Sequence, residues 1–262
     1  MYSKEHKAYL NKIKKEKTII KISQLLIVLF FITIWQLLSD FKLINTFLYS
    51  SPKKVIETIK NLINNNLFEH IWITFYETSI SFLIAAILGL IIASLLWINK
   101  TCYKILEPFL TVLNSLPKVA LGPLIIIWVG ASINSIIVMA LLISLLICII
   151  NIYNSFETTD ESYIILLKSL KASKKQIFFK VIFPANLKNI FNTLKINISM
   201  SLIGVIMGEL LVSKKGLGYL IMYGSQVFNI NLVITSILIL AIMSYLIYIA
   251  IIKIENYINK KE

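Results

Sequence analysis

Apolar residues fall in six long blocks, at about 22–38, 78–98, 105–129, 133–152, 194–212 and 232–252, parted by short polar segments. Each is close to the ~20 residues that carry a helix across about 30 Å of hydrocarbon. Inside a bilayer the backbone must satisfy its own donors and acceptors, so blocks of this length predict helices. The pattern reads as an all-α polytopic membrane protein with about six transmembrane helices. The first block follows a lysine-rich stretch, ends at Ser39-Asp40 and lacks a small-x-small cleavage site, which predicts a retained helix rather than a signal peptide.

Composition agrees. The 262 residues are 58% hydrophobic and 15% charged, against about 45–50% and about 25% for soluble domains. A separate soluble catalytic domain of ordinary size has no room. All 26 basic residues are lysines; with abundant Ile and Asn, this reflects an A/T-biased coding sequence, and no nucleic-acid partner is read into it. Their placement carries topology. If the N-terminus is cytoplasmic, segments 1–21, 99–104, 153–195 and 253–262 are inside and hold 19 lysines, against six outside. That is the positive-inside asymmetry, and it places both termini in the cytoplasm. The chain divides into a basic N-terminus (1–21), a first span (22–38), an external segment (39–77), a transmembrane core (78–252) and a C-terminal tail (253–262). Cys102 and Cys148 have no metal spacing and read as packing residues. Trp35, Trp97 and Trp128 lie near block ends, as interfacial anchors do.

Two regions depart from a plain bundle. The third block contains Pro108, Pro117 and Pro123, with Gly122 and Lys118 between them. Proline removes a backbone donor, which hydrocarbon tolerates only against protein or water, so this block is expected to face the bundle interior. In the external segment, Ser51-Pro52 gives an N-cap and a first-turn proline. Val55, Ile59, Leu62 and Ile63 then share one face of a helix over 52–63, ended by Asn64-Asn65-Asn66.

The cytoplasmic loop 155–195 carries two helix-start signals, Thr158 with Glu161 and Ser173 with Gln176, both capping-box spacings. The first helix, 159–170, has acids in its first turn and Lys168 near its end, which suits the macrodipole. Tyr163, Leu166, Leu167 and Leu170 form an apolar stripe. The second, 174–183, stops before Pro184. Such a loop is either a fold resting on the membrane interface or a docking element for a cytoplasmic partner.

Residues 161–184, ESYIILLKSLKASKKQIFFKVIFP, resemble the coupling loop of ABC-importer permeases, whose pattern is E-A-A, three residues, Gly, nine residues, Ile, any residue, Leu, Pro. Ala172, Ser173, Val181, Phe183 and Pro184 fit in register. Ile165, Leu166 and Leu167 stand where E-A-A belongs, and Lys171 takes the glycine position. A left-handed lysine there costs roughly 1–2 kcal/mol. The resemblance spans about 47–250. Ser51-Pro52 with Val55, the run Pro117, Ala120, Pro123, Leu124, Trp128 and Gly130, then Gly208-Glu209-Leu210-Leu211 and Gly216-Leu217-Gly218-Tyr219-Leu220 are similar to the nitrate/sulfonate/taurine branch.

The resemblance implies an ABC type I importer permease fold in a bacterial plasma membrane. It implies a second permease copy, an ABC ATPase and an external substrate-binding protein as partners, with membrane lipid around them. The coupling residues would be Leu166, Leu167, Lys168, Ser169, Leu170, Lys171, Ala172, Ser173, Val181 and Pro184. Asn114, Ser115, Pro117, Lys118 and Glu209 are candidates for the translocation path. For Lys118 the rival is a headgroup contact, and for Glu209 a pairing with Lys214 or Lys215. Glu77, Thr74, Thr78 and Ser81 read as helix packing, and Gly204 with Gly208 as a close helix approach within the subunit. The chain has no phosphate loop, so ATP would be bound by a partner chain, with no cofactor here. It has no paired-carboxylate or Ser/His/Asp constellation and no metal cluster, so it is not expected to be an enzyme. The solute would be a sulfonate, nitrate or taurine-like anion, or a vitamin-precursor pyrimidine. The alternative is a non-transporting scaffold or assembly protein with a degenerate coupling loop.

Overall fold

The computed structural model describes residues 4–259; what the sequence suggests for 1–3 and 260–262 lies outside those residues. Among those residues every regular element is helical: α1 (Lys4–Asp40), α2 (Thr46–Tyr49), α3 (Pro52–Ile63), α4 (Leu67–Ile98), α5 (Lys100–Ser115), α6 (Gly122–Val129) and α7 (Ile133–Glu157) come first. They are followed by α8 (Glu161–Ser169), α9 (Lys174–Ile177), α10 (Phe183–Ala185), α11 (Leu187–Val212), α12 (Leu217–Gln226) and α13 (Ile230–Asn259). Five helices are long and apolar enough to cross a bilayer: Thr18–Asp40 of α1, then α4, α7, α11 and α13. The sixth block is a broken span, with Lys100–Ser115 and Lys118–Val129 meeting at 84°. Pro117 sits at the break, Pro123 opens α6, and Pro108 lies inside α5.

Helices α4, α7 and α11 form the core. They approach closely because small residues meet there: Gly204 lies against the Ala140 backbone, Gly208 against Ile136 and Gly89 against Cys148. Gly204 and Gly208 thus pack within the subunit, as their spacing suggested. α13 packs on this core through α12 and α11, and Lys195 of α11 pairs with Glu255 of α13 at 2.6 Å. α1 stands apart, its span unburied in this chain. Gln36 ties it to α3, accepting from the Lys53 amide at 3.2 Å.

The predicted amphipathic helix runs over Pro52–Ile63 with Ser51 as its cap, Val55 and Leu62 buried, and Asn66 left-handed at φ 61 beyond its end. Four expectations need correcting. The second span begins at Leu67, not 78, because its polar first turns are buried against α11 and α12. An unforeseen helix, α12, occupies the external segment after the fifth span. α5 buries none of its residues, whereas α6 buries Gly122 and Ile125 against α7 and α11, so only the second half of the proline-broken span faces the interior of this protomer. Trp97 is only 7% exposed, 5.5 Å from Phe178, and is a core residue rather than an interfacial anchor.

Candidate functional site

Two built regions cap the α4–α7–α11 core, one at each end. The first is the loop between α7 and α11. Ser173 caps α9 with the reciprocal box its spacing predicts: the Gln176 amide donates to the Ser173 hydroxyl at 3.3 Å, and the Ser173 amide to Gln176 Oε1 at 2.7 Å. The other predicted box, Thr158 with Glu161, does not form. Asp160 is the cap of α8 instead, accepting from the Ser162 hydroxyl at 2.6 Å and the Ser162 amide at 2.8 Å. Those two donors hold the Asp160 carboxyl below its ordinary value. Asp160, two residues nearer the helix, takes the cap position from Thr158, whose hydroxyl turns back to the Ser155 carbonyl.

Between α8 and α9 the chain turns through Lys171 at φ 57. The Lys171 amide donates to the Lys168 carbonyl at 2.9 Å and the Ala172 amide to Leu167 at 3.0 Å, the paired bonds of a Schellman cap. Lysine therefore occupies the left-handed position where the family pattern has glycine. The turn keeps its form and bears the cost of a side chain in it.

Beyond α9, Phe178–Ile182 make a π-helical turn ahead of Pro184. This turn anchors the loop. Ile177, Phe178 and Ile182 are buried, and the Phe178 ring lies 5.3 Å from Phe156 and 5.5 Å from Trp97. Asn186 closes the loop at its base, donating to Thr159 at 2.7 Å and to the Ile182 carbonyl at 2.9 Å. A cavity of about 270 Å³ remains between α8 and the inner end of α4, lined by Lys100, Ile164 and Lys168 among others.

The ten residues expected to form the coupling loop split into two sets. Leu167, Ala172 and Val181 turn inward onto the Phe178 cluster. Leu166, Lys168, Ser169, Leu170, Lys171, Ser173 and Pro184 are exposed. Tyr163, Ile165, Leu166, Leu170 and Phe179 together form an exposed apolar rim. Ile165 and Phe179 were missed by sequence reasoning because they lie off the i, i+3, i+4 stripe. Phe178, the anchor, lies inside the predicted helix 174–183 with nothing local to single it out.

The second region is at the other end of the core. Glu209 of α11 is 1% exposed. It accepts from the Thr74 hydroxyl at 2.6 Å and from the Gly218 amide at 2.5 Å, at the start of α12. The Leu217 amide donates to Thr74 Oγ1 at 2.8 Å, and the Gly216 amide to His70 Nδ1 at 3.0 Å. Gly216 has φ 108, and a Cβ there would collide with the Glu209 carboxylate; one on Gly218 would meet its Oε2 at 2.8 Å. The glycines of Gly216-Leu217-Gly218 are there to admit the carboxylate. The pairing of Glu209 with Lys214 or Lys215 is not formed; Lys215 pairs with Glu69.

The five path candidates are not brought together. Asn114, Ser115, Pro117 and Lys118 gather at the break between α5 and α6, while Glu209 is buried in the hydrogen-bonded cap. The Lys118 ammonium donates to the Asn114 carbonyl at 2.7 Å and to its side-chain oxygen at 3.2 Å. It satisfies carbonyls at the α5 C-terminus, where a cation is favourable.

Residues 85–261 match the family described as binding-protein-dependent transport system inner membrane component. The chain is 31% identical over 216 residues to an aliphatic sulfonates transport permease protein of Bacillus subtilis, covering 82% of this chain and 78% of that one. It is 28% identical to the formylaminopyrimidine transport permease protein of Halalkalibacterium halodurans, over 80% of this chain and 84% of that one. Among solved structures, an inward-facing MetNI methionine ABC transporter chain superposes with a TM-score of 0.65 at 21% identity, covering 73% of this chain and 95% of that one.

Proposed function

The chain belongs to the binding-protein-dependent transport inner-membrane component family, a multi-pass permease subunit of an ABC importer and not an enzyme, and from that premise we propose how it couples and what it carries. A separate ATPase docks on the loop over Glu161–Pro184, and ATP is bound by that partner. One observation carries this reading: a loop anchored through buried Ile177, Phe178 and Ile182 presents an apolar rim, Tyr163, Leu166, Leu170 and Phe179, flanked by lysines. Exposed apolar groups clustered on an ordered loop mark an interaction surface.

The anchor makes the loop move as one body with the inner ends of α4 and α7. Closure of the ATPases would push on the rim, and the Phe178–Trp97–Phe156 contacts would pass that displacement to the core helices. Two packed arrangements of the spans are needed, and differential affinity of the ATPase for them drives the exchange. The broken span α5–α6 faces a second permease copy and the path between them, with Asn114, Ser115, Pro117 and Lys118 at its bend. This accounts for apolar and proline-rich segments that find no cover within one chain. Glu209 serves the fold of the external cap rather than the path. Both termini are cytoplasmic, on the lysine-rich side. An external binding protein delivers the solute, a small sulfonate, nitrate or taurine-like anion or a vitamin-precursor pyrimidine, the classes named for its relatives.

The test is Leu166→Asp with Leu170→Asp in the full chain, co-expressed with the ATPase of its own host. Both side chains are exposed, so membrane insertion and melting are expected to be unchanged while co-purification of the ATPase and ATP-driven uptake are lost. Retention of both would move the docking site elsewhere. Absence of any ATPase from the unmutated chain, repeated after crosslinking, would favour the scaffold.

A further inference from the structure

Glu77 of α4 is fully buried, and neither of its carboxyl oxygens has a hydrogen-bond donor among the described residues. Glu77 stands one turn along α4 from Thr74, whose hydroxyl donates to Glu209, so the two buried carboxyls share the α4–α11 interface. Glu209 is differently placed. The Thr74 hydroxyl and the Gly218 amide donate to it, and that amide belongs to the N-terminal turn of α12, where the dipole favours an anion. Glu209 has the surroundings of a carboxylate, and Glu77 has none of them. Two ionised carboxyls side by side, buried without a cation, repel each other and pay desolvation twice. A proton resolves both problems.

The remaining neighbours do not supply the charge. α7 brings Ser132, Ser135 and Ile136. His70 on α4 uses Nδ1 to accept from Gly216 and stacks on Tyr219 at a centroid distance of 6.0 Å. Lys215 is engaged with Glu69. Lys214 and Lys215 border a pocket of about 350 Å³ that Glu77 also lines, together with Ser132 and Ser213.

We propose that Glu77 and Glu209 form a proton-binding site in which the neutral Glu77 carboxyl donates its hydrogen to the Glu209 carboxylate, latching α4 to α11 and to the start of α12. The proton enters and leaves as hydronium or water through the pocket bordered by Ser132, Ser213 and Lys214; no covalent bond changes. Loss of the proton sets two anions against each other and releases the Gly216–Tyr219 turn. Nothing in this depends on the solute carried or on the ATPase.

The experiment is infrared spectroscopy of the full chain in nanodiscs of ether-linked lipid, which has no ester carbonyl to mask the region. At neutral pH the carbonyl stretch of a protonated carboxylic acid is expected, lost in E77Q and lost in the wild type at alkaline pH. Hydrogen exchange at Gly218, corrected for its intrinsic pH dependence, is the second reading. It is expected to accelerate about tenfold in the wild type as the band disappears and to stay slow in E77Q, whose amide still donates to Glu209. Absence of the band at neutral pH, as a Glu77–Lys214 ion pair would produce, overturns the proposal. So does a band that E77Q leaves in place, or E77Q exchanging as fast as E77A.

Discussion

The two ends of the α4–α7–α11 core are held by different physics. At the loop between α7 and α11 the joint is apolar: Phe178 among Phe156, Trp97, Ile177 and Ile182, with hydrogen bonds at the caps and the Asn186 clamp. At the other end it is polar: a buried carboxylate takes donors from Thr74 and Gly218, and glycines make room for it. An aromatic cluster is tolerant of small rotations, because dispersion contacts fall off smoothly and are many. A carboxylate gripped by fixed donors is directional and has no graded response. The joint at the α7–α11 loop is thus the tolerant kind, and the one that holds the Gly216–Gly218 turn in place the exacting kind.

Substitutions test that division in order of expected size. Phe178→Ala removes the hub of the apolar joint and is expected to cost about 3–5 kcal/mol, read as a large fall in detergent melting temperature together with loss of ATPase co-purification. Glu209→Ala leaves the Gly218 amide and Thr74 hydroxyl without their acceptor and is expected to cost about 1–3 kcal/mol. Its signature is local, with faster hydrogen exchange at 216–219 and an unaltered cytoplasmic loop. If exchange rose equally at both ends, the two joints would be one cooperative unit and the contrast would fail. Lys171→Gly relieves the left-handed turn and is expected to raise stability by about 1 kcal/mol, measured by melting. ATP-driven uptake rising alongside would mean that the strained turn limits coupling. Smallest is the Asp160 cap. Its carboxyl lies below the ordinary range when folded, so its contribution is present above that range and fades as pH falls through the folded value. Protection of the Ser162 amide in Asp160→Asn, compared with wild type at neutral and acid pH, checks this; the difference should vanish in acid.

Much of the fold was legible because a bilayer enforces it. Block length gave the spans, and the three prolines gave the broken one. Ser51-Pro52 and Ser173-Gln176 were read correctly since both signals are local. The left-handed Lys171 followed from its place in the turn. What escaped depends on partners distant in sequence. His70 to Glu77 look too polar to be inside a span, and only Glu209 and the 216–218 amides explain their burial. Trp97 sits at a block end like an anchor, but Phe178 draws it inward from the far side of a loop. Asp160 displaced Thr158 because two cap candidates lay side by side, and spacing alone does not rank them. Glu209 was noticed as a costly charge, yet its donors are a hydroxyl 135 residues away and a backbone amide, neither of which its own neighbourhood in the sequence announces.

The π turn at Phe178–Ile182 has a consequence for the helix that follows it. Such a turn holds one residue more than α-helical winding would, so it sets the phase of everything downstream. Removing one residue there would rotate the following segment by about 100° and draw it back by about 1.5 Å. Gly204 and Gly208 would swing off Ala140 and Ile136, and Glu209 away from Thr74. A single extra residue in the loop between α7 and α11 thus determines which face of α11 meets its neighbours along its whole length.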